Sequence, residues 1–264
     1  MPLSKRIASI LATRQDHLAP SRTDIAQHAM RCLDLTTLTG VERPADIEAI
    51  CHNARAARVA AVCVYPQYIS AVRQGLEGTT IHAASVAMNF PTADGPLHER
   101  LQDIARARAD GADEIDIVFP LALVHEERWD ALAHEFAQAR EQAGQATLKI
   151  ILESGMLPSQ EHLYRSARIA LDAGADFLKT STGKRTVGAT HEAVATLLLA
   201  LTDHGSHAGI KISGGLRQLD DLLPYMRMIY AHGGDAALAP TRFRIGASSL
   251  LTALQEACKG AENA

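Results

Sequence analysis

The sequence predicts an α/β fold, a single (β/α)8 barrel over residues 1–264 with residues 1–30 as an N-terminal helical extension. Three observations carry that prediction. Eight short runs rich in Val, Ile and Leu alternate with longer segments of helical periodicity, the pattern of βαβ units wound into a parallel sheet. The length of 264 residues suits the ~250 typical of such barrels. No low-complexity linker or shift in composition divides the chain.

Taken in order, Lys5 and Arg6 precede the apolar stretch IASILA, which runs straight into TRQDH. That stretch is far short of the ~20 apolar residues of a membrane helix, so it reads as an amphipathic first helix. Residues 1–30 are expected to close the bottom of the barrel. The strand runs are CLDLT at 32–36, VAAVCVY at 59–65, IHAASVAM at 81–88, EIDIVF at 114–119, LKIIL at 148–152, DFLK at 176–179, GIKI at 209–212 and RFRIG at 242–246. A helix candidate follows each. In SQEHLYRSARIALDAG, Ser159 can cap the start, apolar residues recur at helical spacing and Gly174 ends the helix. The repeated GAD tripeptides at 111–113 and 174–176 mark turns from helix to strand.

A formal net charge of −4 with no basic block excludes nucleic acid and acidic membrane surfaces as electrostatic partners, leaving small molecules. Cys32, Cys51, Cys63 and Cys258 form no CxxC pair and no metal-ligand spacing with the histidines. A reduced, cytoplasmic protein with neither metal nor cofactor is expected. Whether it assembles into a homo-oligomer is left open.

Only six of the 26 basic residues are lysine. An amine can be tuned into a nucleophile and a guanidinium cannot, so lysines inside apolar runs need explaining. Barrel active sites form at the carboxyl ends of the strands, where the polar candidates are Asp34, Asp116, Glu153, Lys179 and Lys211. Lys179 ends its strand, and partial desolvation beside a second cation would lower its pKa and make it attack carbonyls. Lys211 on the next strand is the expected second cation. Asp116 could balance the charge and, with Lys211 and a water, relay protons. The competing reading makes Lys211 and Asp116 a buried ion pair and nothing more.

The turns SGGLR at 213–217 and GASS at 246–249 follow strands seven and eight, where barrels often bind phosphate. Backbone N–H groups of Gly214, Gly215 and Gly246 can approach an anion, Ser248 and Ser249 open the last helix, and Lys184 would add charge. The serines could equally be plain helix caps. Elsewhere the structural reading prevails: Cys63 as packed core, Trp129 as a helix anchor, and His125, His204 and His207 as solvated. Lys149 and Glu153 share a strand face, and Glu153 is a candidate to orient a pocket lysine.

The blocks LDLTTL, CVYP, GADEIDIVFP, ADFLKTSTGK, KISGGLR and RIGASSLL, which span nearly the whole chain, together resemble the deoxyribose-phosphate aldolase family. That resemblance implies a class I, metal-independent aldolase that reversibly cleaves 2-deoxy-D-ribose 5-phosphate to D-glyceraldehyde 3-phosphate and acetaldehyde. It implies that Lys179 is the Schiff-base lysine, tuned by Lys211 and Asp116, with Asp34 and Thr36 near the substrate. Gly183, Lys184, Gly214, Gly215, Gly246, Ser248 and Ser249 match the family's phosphate site. Two departures are Ile212, where proline or alanine is commoner, and the tail CKGAENA, which lacks the terminal tyrosine of some members. The alternatives are a lysine-dependent barrel lyase or transferase for another phosphosugar, and a binding protein without turnover.

Overall fold

The structure, a computed structural model, describes residues 1–13 and 21–259. Eight parallel strands close into a barrel in sequence order: β1 (Leu33–Thr36), β2 (Ala61–Val64), β3 (His82–Ala87), β4 (Glu114–Ile117), β5 (Thr147–Ile151), β6 (Phe177–Lys179), β7 (Gly209–Ser213) and β8 (Phe243–Ala247), with β8 pairing back onto β1. Every expected strand run overlaps one of them, with β5 starting one residue earlier and β7 and β8 each running one residue further. The strands are buried on both faces, which is why they read as near-continuous apolar runs.

The outer helices are α3 (Pro44–Ala57), α4 (Ile69–Gly75), α5 (Leu97–Ala109), the short α6 (Ala122–His125), α7 (Trp129–Ala143), α8 (Gln160–Asp172), α9 (His191–His204), α10 (Leu219–Leu238) and α11 (Leu250–Lys259). Two of their starts are capped by a hydroxyl: the Ser159 hydroxyl accepts the His162 N–H at 3.3 Å to open α8, and Thr190 accepts the Ala193 N–H at 3.1 Å to open α9. The two GAD turns do the same work twice. Gly111 and Gly174 take φ of 95° and 84°, a left-handed conformation that ends the helix without a Cβ penalty. Asp113 then accepts the Ala83 N–H and Asp176 the Leu148 N–H, each at 2.8 Å, so each aspartate ties the start of the preceding strand. Arg73 of α4 and Arg140 of α7 hold those carboxylates at 2.9 and 2.8 Å.

The amphipathic α1 (Leu3–Ala12) packs on α9 and α10, with Arg6 bound to Asp203, and α2 (Arg22–Arg31) packs on α11. Both pack against helices of the outer ring. Residues 14–20 of the extension and 260–264 of the tail lie outside the described residues. No helix among the described residues is long and apolar enough to cross a membrane.

Candidate active site

Strand alternation aims one face of every strand at the barrel axis, and the register identifies it: Lys179 pairs with Lys211, Lys211 with Arg244, Asp116 with Lys149, and Asp34 with Gly246. Seven charged side chains thereby enter the interior, namely Asp34, Glu114, Asp116, Lys149, Lys179, Lys211 and Arg244, none more than 5% exposed. Asp116 is the hub. Its Oδ1 accepts from Lys149 Nζ and its Oδ2 from both Lys179 Nζ and Lys211 Nζ, all at 2.7 Å. Lys211 also donates to Asp34 Oδ2 at 2.5 Å, and the other oxygen of Asp34 accepts from Arg244 at 2.7 Å. Beneath them Arg244 forks onto both oxygens of Glu114 at 3.0 and 2.7 Å, and Lys149 Nζ lies 2.6 Å from Glu114 Oε2.

This arrangement separates Lys179 from the other cations. Burial pushes the three carboxylates up, but the surrounding lysines and Arg244 overcome it, leaving Asp34 below and Glu114 and Asp116 well below the ordinary range. Burial disfavours the charges of Lys149, Lys211 and Arg244 too, and the same carboxylates reverse the balance and hold their pKa values up. Lys179 alone is pushed down, first by burial, then by Lys211, against the pull of Asp116. Counting agrees: the four cations Lys149, Lys179, Lys211 and Arg244 face only three carboxylates, and Lys179 contacts just one of them, Asp116, which it shares with Lys149 and Lys211, so its charge is the least compensated. A low-dielectric interior resists an unmatched charge, and deprotonating this one amine removes it. Partial desolvation and the second cation Lys211, the two causes the sequence suggests, both act here, and burial is the larger.

Above the ion pairs, at the carboxyl ends of β1, β6, β7 and β8, lies an open cavity of about 440 Å³. Lys179 forms part of its floor and Thr36 part of its wall. Gly183 and Lys184 after β6, Gly214 and Gly215 after β7, and Gly246, Ser248 and Ser249 at β8 and before α11 all line it. Asp34, Asp116 and Lys211 do not; they are fully buried among the interior ion pairs. At Gly246 a Cβ would crowd Lys211 Cε at 3.0 Å and Ser213 Cβ at 3.1 Å, so either neighbour would have to shift to admit one. Gly214, at φ 85°, turns the chain in the left-handed region where it crosses Gly188. Lys184 Nζ donates to the Leu38 carbonyl at 2.6 Å, tying the loop after β6 to the loop after β1.

A family model described as DeoC/LacD family aldolase matches residues 28–256. The chain belongs to that aldolase family. The match takes in every strand and the whole cavity. Deoxyribose-phosphate aldolase of Bos taurus is 39% identical over 249 residues, covering 86% of this chain and 78% of the relative, and that of Homo sapiens is 38% identical over the same shares. A solved structure of a deoxyribose phosphate aldolase from Aeropyrum pernix, described as a unique tetramer, superposes with a TM-score of 0.71 at 25% identity, covering 98% of this chain and 100% of that one.

For this aldolase, three members of the interior set are not placed there by the sequence reading. Glu114 and Arg244 stand two residues before Asp116 and Gly246, so strand alternation from those candidates would have found them. Lys149 was weighed only with Glu153, yet it is a full member. Glu153 touches no lysine: its carboxylate accepts from the Thr182 hydroxyl at 2.6 Å and braces the loop after β6. Cys63 is fully buried on β2, and burial raises its thiol pKa. Trp129 opens α7 under the Arg165 guanidinium, 4.4 Å from the ring centre, in a packing role.

Proposed function

We propose that this aldolase reversibly cleaves 2-deoxy-D-ribose 5-phosphate to D-glyceraldehyde 3-phosphate and acetaldehyde through a Schiff base on Lys179, as a class I enzyme without a metal. One observation carries the reading: of the four cations in the barrel interior, Lys179 is both the one that lines the cavity and the one with a single carboxylate contact, Asp116, which it shares with Lys149 and Lys211. Its neutral amine adds to the C1 aldehyde of the open-chain sugar, and the resulting hydroxyl leaves as water, giving an iminium. That step restores a positive charge at Nζ, 2.7 Å from Asp116, so the carboxylate that opposed deprotonation now stabilises the intermediate.

A base takes the C3 hydroxyl proton, the C2–C3 bond breaks, and its electron pair enters the iminium to leave a neutral enamine and glyceraldehyde 3-phosphate. Protonation of the enamine at C2 and hydrolysis of the iminium release acetaldehyde and the amine. Lys211 and Asp116, in contact at 2.7 Å, are the pair suited to move these protons. The phosphate would sit where Gly214, Gly215, Gly246, Ser248 and Ser249 present backbone and hydroxyl donors at the start of α11, with Gly183 and Lys184 facing them. Thr36 would meet the middle of the sugar, while Asp34 acts from below through Lys211.

Borohydride reduction in the presence of acetaldehyde, followed by peptide mapping, should place an adduct on Lys179, and Lys179→Arg should keep the fold while losing turnover, since a guanidinium forms no iminium. An adduct on Lys184 or Lys211 instead would sink the mechanism. Failure to release acetaldehyde from deoxyribose 5-phosphate, with the Lys179 adduct intact, would transfer the reading to another phosphosugar.

A further inference from the structure

The mechanism leaves one titratable group at the opposite end of the barrel unused. His82 opens β3 at the amino-terminal face, its side chain 46% exposed beside a Glu114 that is 0% exposed. Its Nδ1 lies 2.6 Å from Glu114 Oε1. From there the contacts are continuous: Glu114 to Lys149 at 2.6 Å, Lys149 to Asp116 at 2.7 Å, and Asp116 to Lys179 at 2.7 Å. One solvent-accessible imidazole thus ends a column of ion pairs whose other end is the cavity amine.

The charged groups around His82 are Glu114 on β4, Asp113 just before it and Arg244 on β8, with Arg73 of α4 bound to Asp113. Its register partner on β2, Ala61, carries no charge. The hydrogen bond to Glu114 favours the imidazolium, and burial and Arg244 oppose it less strongly. His82 therefore keeps its proton above the ordinary histidine midpoint of about 6.5.

We propose that His82 is a positioning residue whose charge, held against Glu114 at the barrel floor, governs how readily Lys179 releases its proton at the other end of the column. The inference rests on Lys179 as the nucleophile. Its sign follows from the charge count. The interior already has one cation more than its three carboxylates can match, so an imidazolium adds to the surplus and favours the neutral amine of Lys179. A neutral His82 removes that repulsion and leaves Glu114 wholly to Lys149 and Arg244, so Lys179 holds its proton to higher pH.

Two variants isolate the charge from the contact. His82→Arg keeps a donor and a permanent charge on Glu114, and His82→Gln keeps a donor without charge. Competitive labelling of the folded protein with acetic anhydride across pH, read at the Lys179 peptide, gives that amine's midpoint without requiring turnover. The Gln variant should titrate at higher pH than the Arg variant by about half a unit, a roughly threefold difference in neutral amine at a given pH below the midpoint. Equal midpoints, the reverse order, or a Lys179 unlabelled at every pH would overturn the inference. A purely structural role would change melting temperature without ordering the midpoints. Acetaldehyde trapping on the same proteins tests the Schiff base separately: absence of an adduct beside ordered midpoints would refute the proposed reaction and leave the coupling standing.

Discussion

Replacing Lys149 by methionine removes a cation that the cavity never touches, and the structure requires it to alter both stability and the reactive amine. Lys149 Nζ contacts Asp116 at 2.7 Å, Glu114 at 2.6 Å and Asp34 at 3.5 Å, all fully buried. Methionine fills similar volume but leaves those carboxylates with one cation fewer, and breaking a buried pair in this way costs about 3–5 kcal/mol. Against a total stability of about 5–15 kcal/mol the variant stays folded, with a melting temperature lower by roughly 6–20 °C.

The second effect follows from the count. Without Lys149, the three carboxylates are matched by Lys211, Arg244 and Lys179, so the charged form of Lys179 is no longer in surplus. Its midpoint should rise by about one unit or more, lowering the neutral amine and the trapping rate near neutral pH by ~10-fold. Thermal melts and pH-resolved trapping with acetaldehyde read the two effects on one sample. A variant that melts within ~1 °C of the parent and traps with an unshifted midpoint would refute the charge count itself.

Lys184→Met removes the amine that bridges to the Leu38 carbonyl at the cavity rim. KM for the phosphorylated substrate should rise about 10-fold, the scale of one lost charge-assisted contact, with kcat within about twofold; an equal rise for a non-phosphorylated aldehyde would remove Lys184 from the phosphate site. The depressed Asp34, Glu114 and Asp116 contribute stability that is present above their unfolded values of about 4 and is lost as pH falls through the lower folded values. Melting temperature should therefore hold from pH 6 to 5 and drop only below about 4, and a fall between 6 and 5 would count against these three as the acid-sensitive groups.

Much of the molecule was legible in the chain because its signals are local. Strand runs buried on both faces stay apolar end to end, and the two GAD turns repeat one solution for starting a strand. A lysine closing an apolar strand, as Lys179 closes DFLK, marks the cavity end, and glycines at 214 and 246 mark where backbone and Lys211 pass too closely for a Cβ.

By itself, then, the sequence determined the barrel, the order of its strands and part of the cavity lining, Lys179 and the turns after β6, β7 and β8, since period-two alternation and turn chemistry act over a few residues. Tertiary structure decided which charges meet. Asp34 and Arg244 are 210 residues apart and Glu114 and Arg244 are 130 apart, yet each pair is in contact on the barrel axis. It also decided that α1 packs on α9 and α10, that Lys149 belongs with the interior set, and that Lys179 is the interior cation with the fewest carboxylate contacts. Closing the sheet brings strands from both halves of the chain around one low-dielectric core, where charge must be balanced across all eight strands at once, and no local pattern encodes that sum.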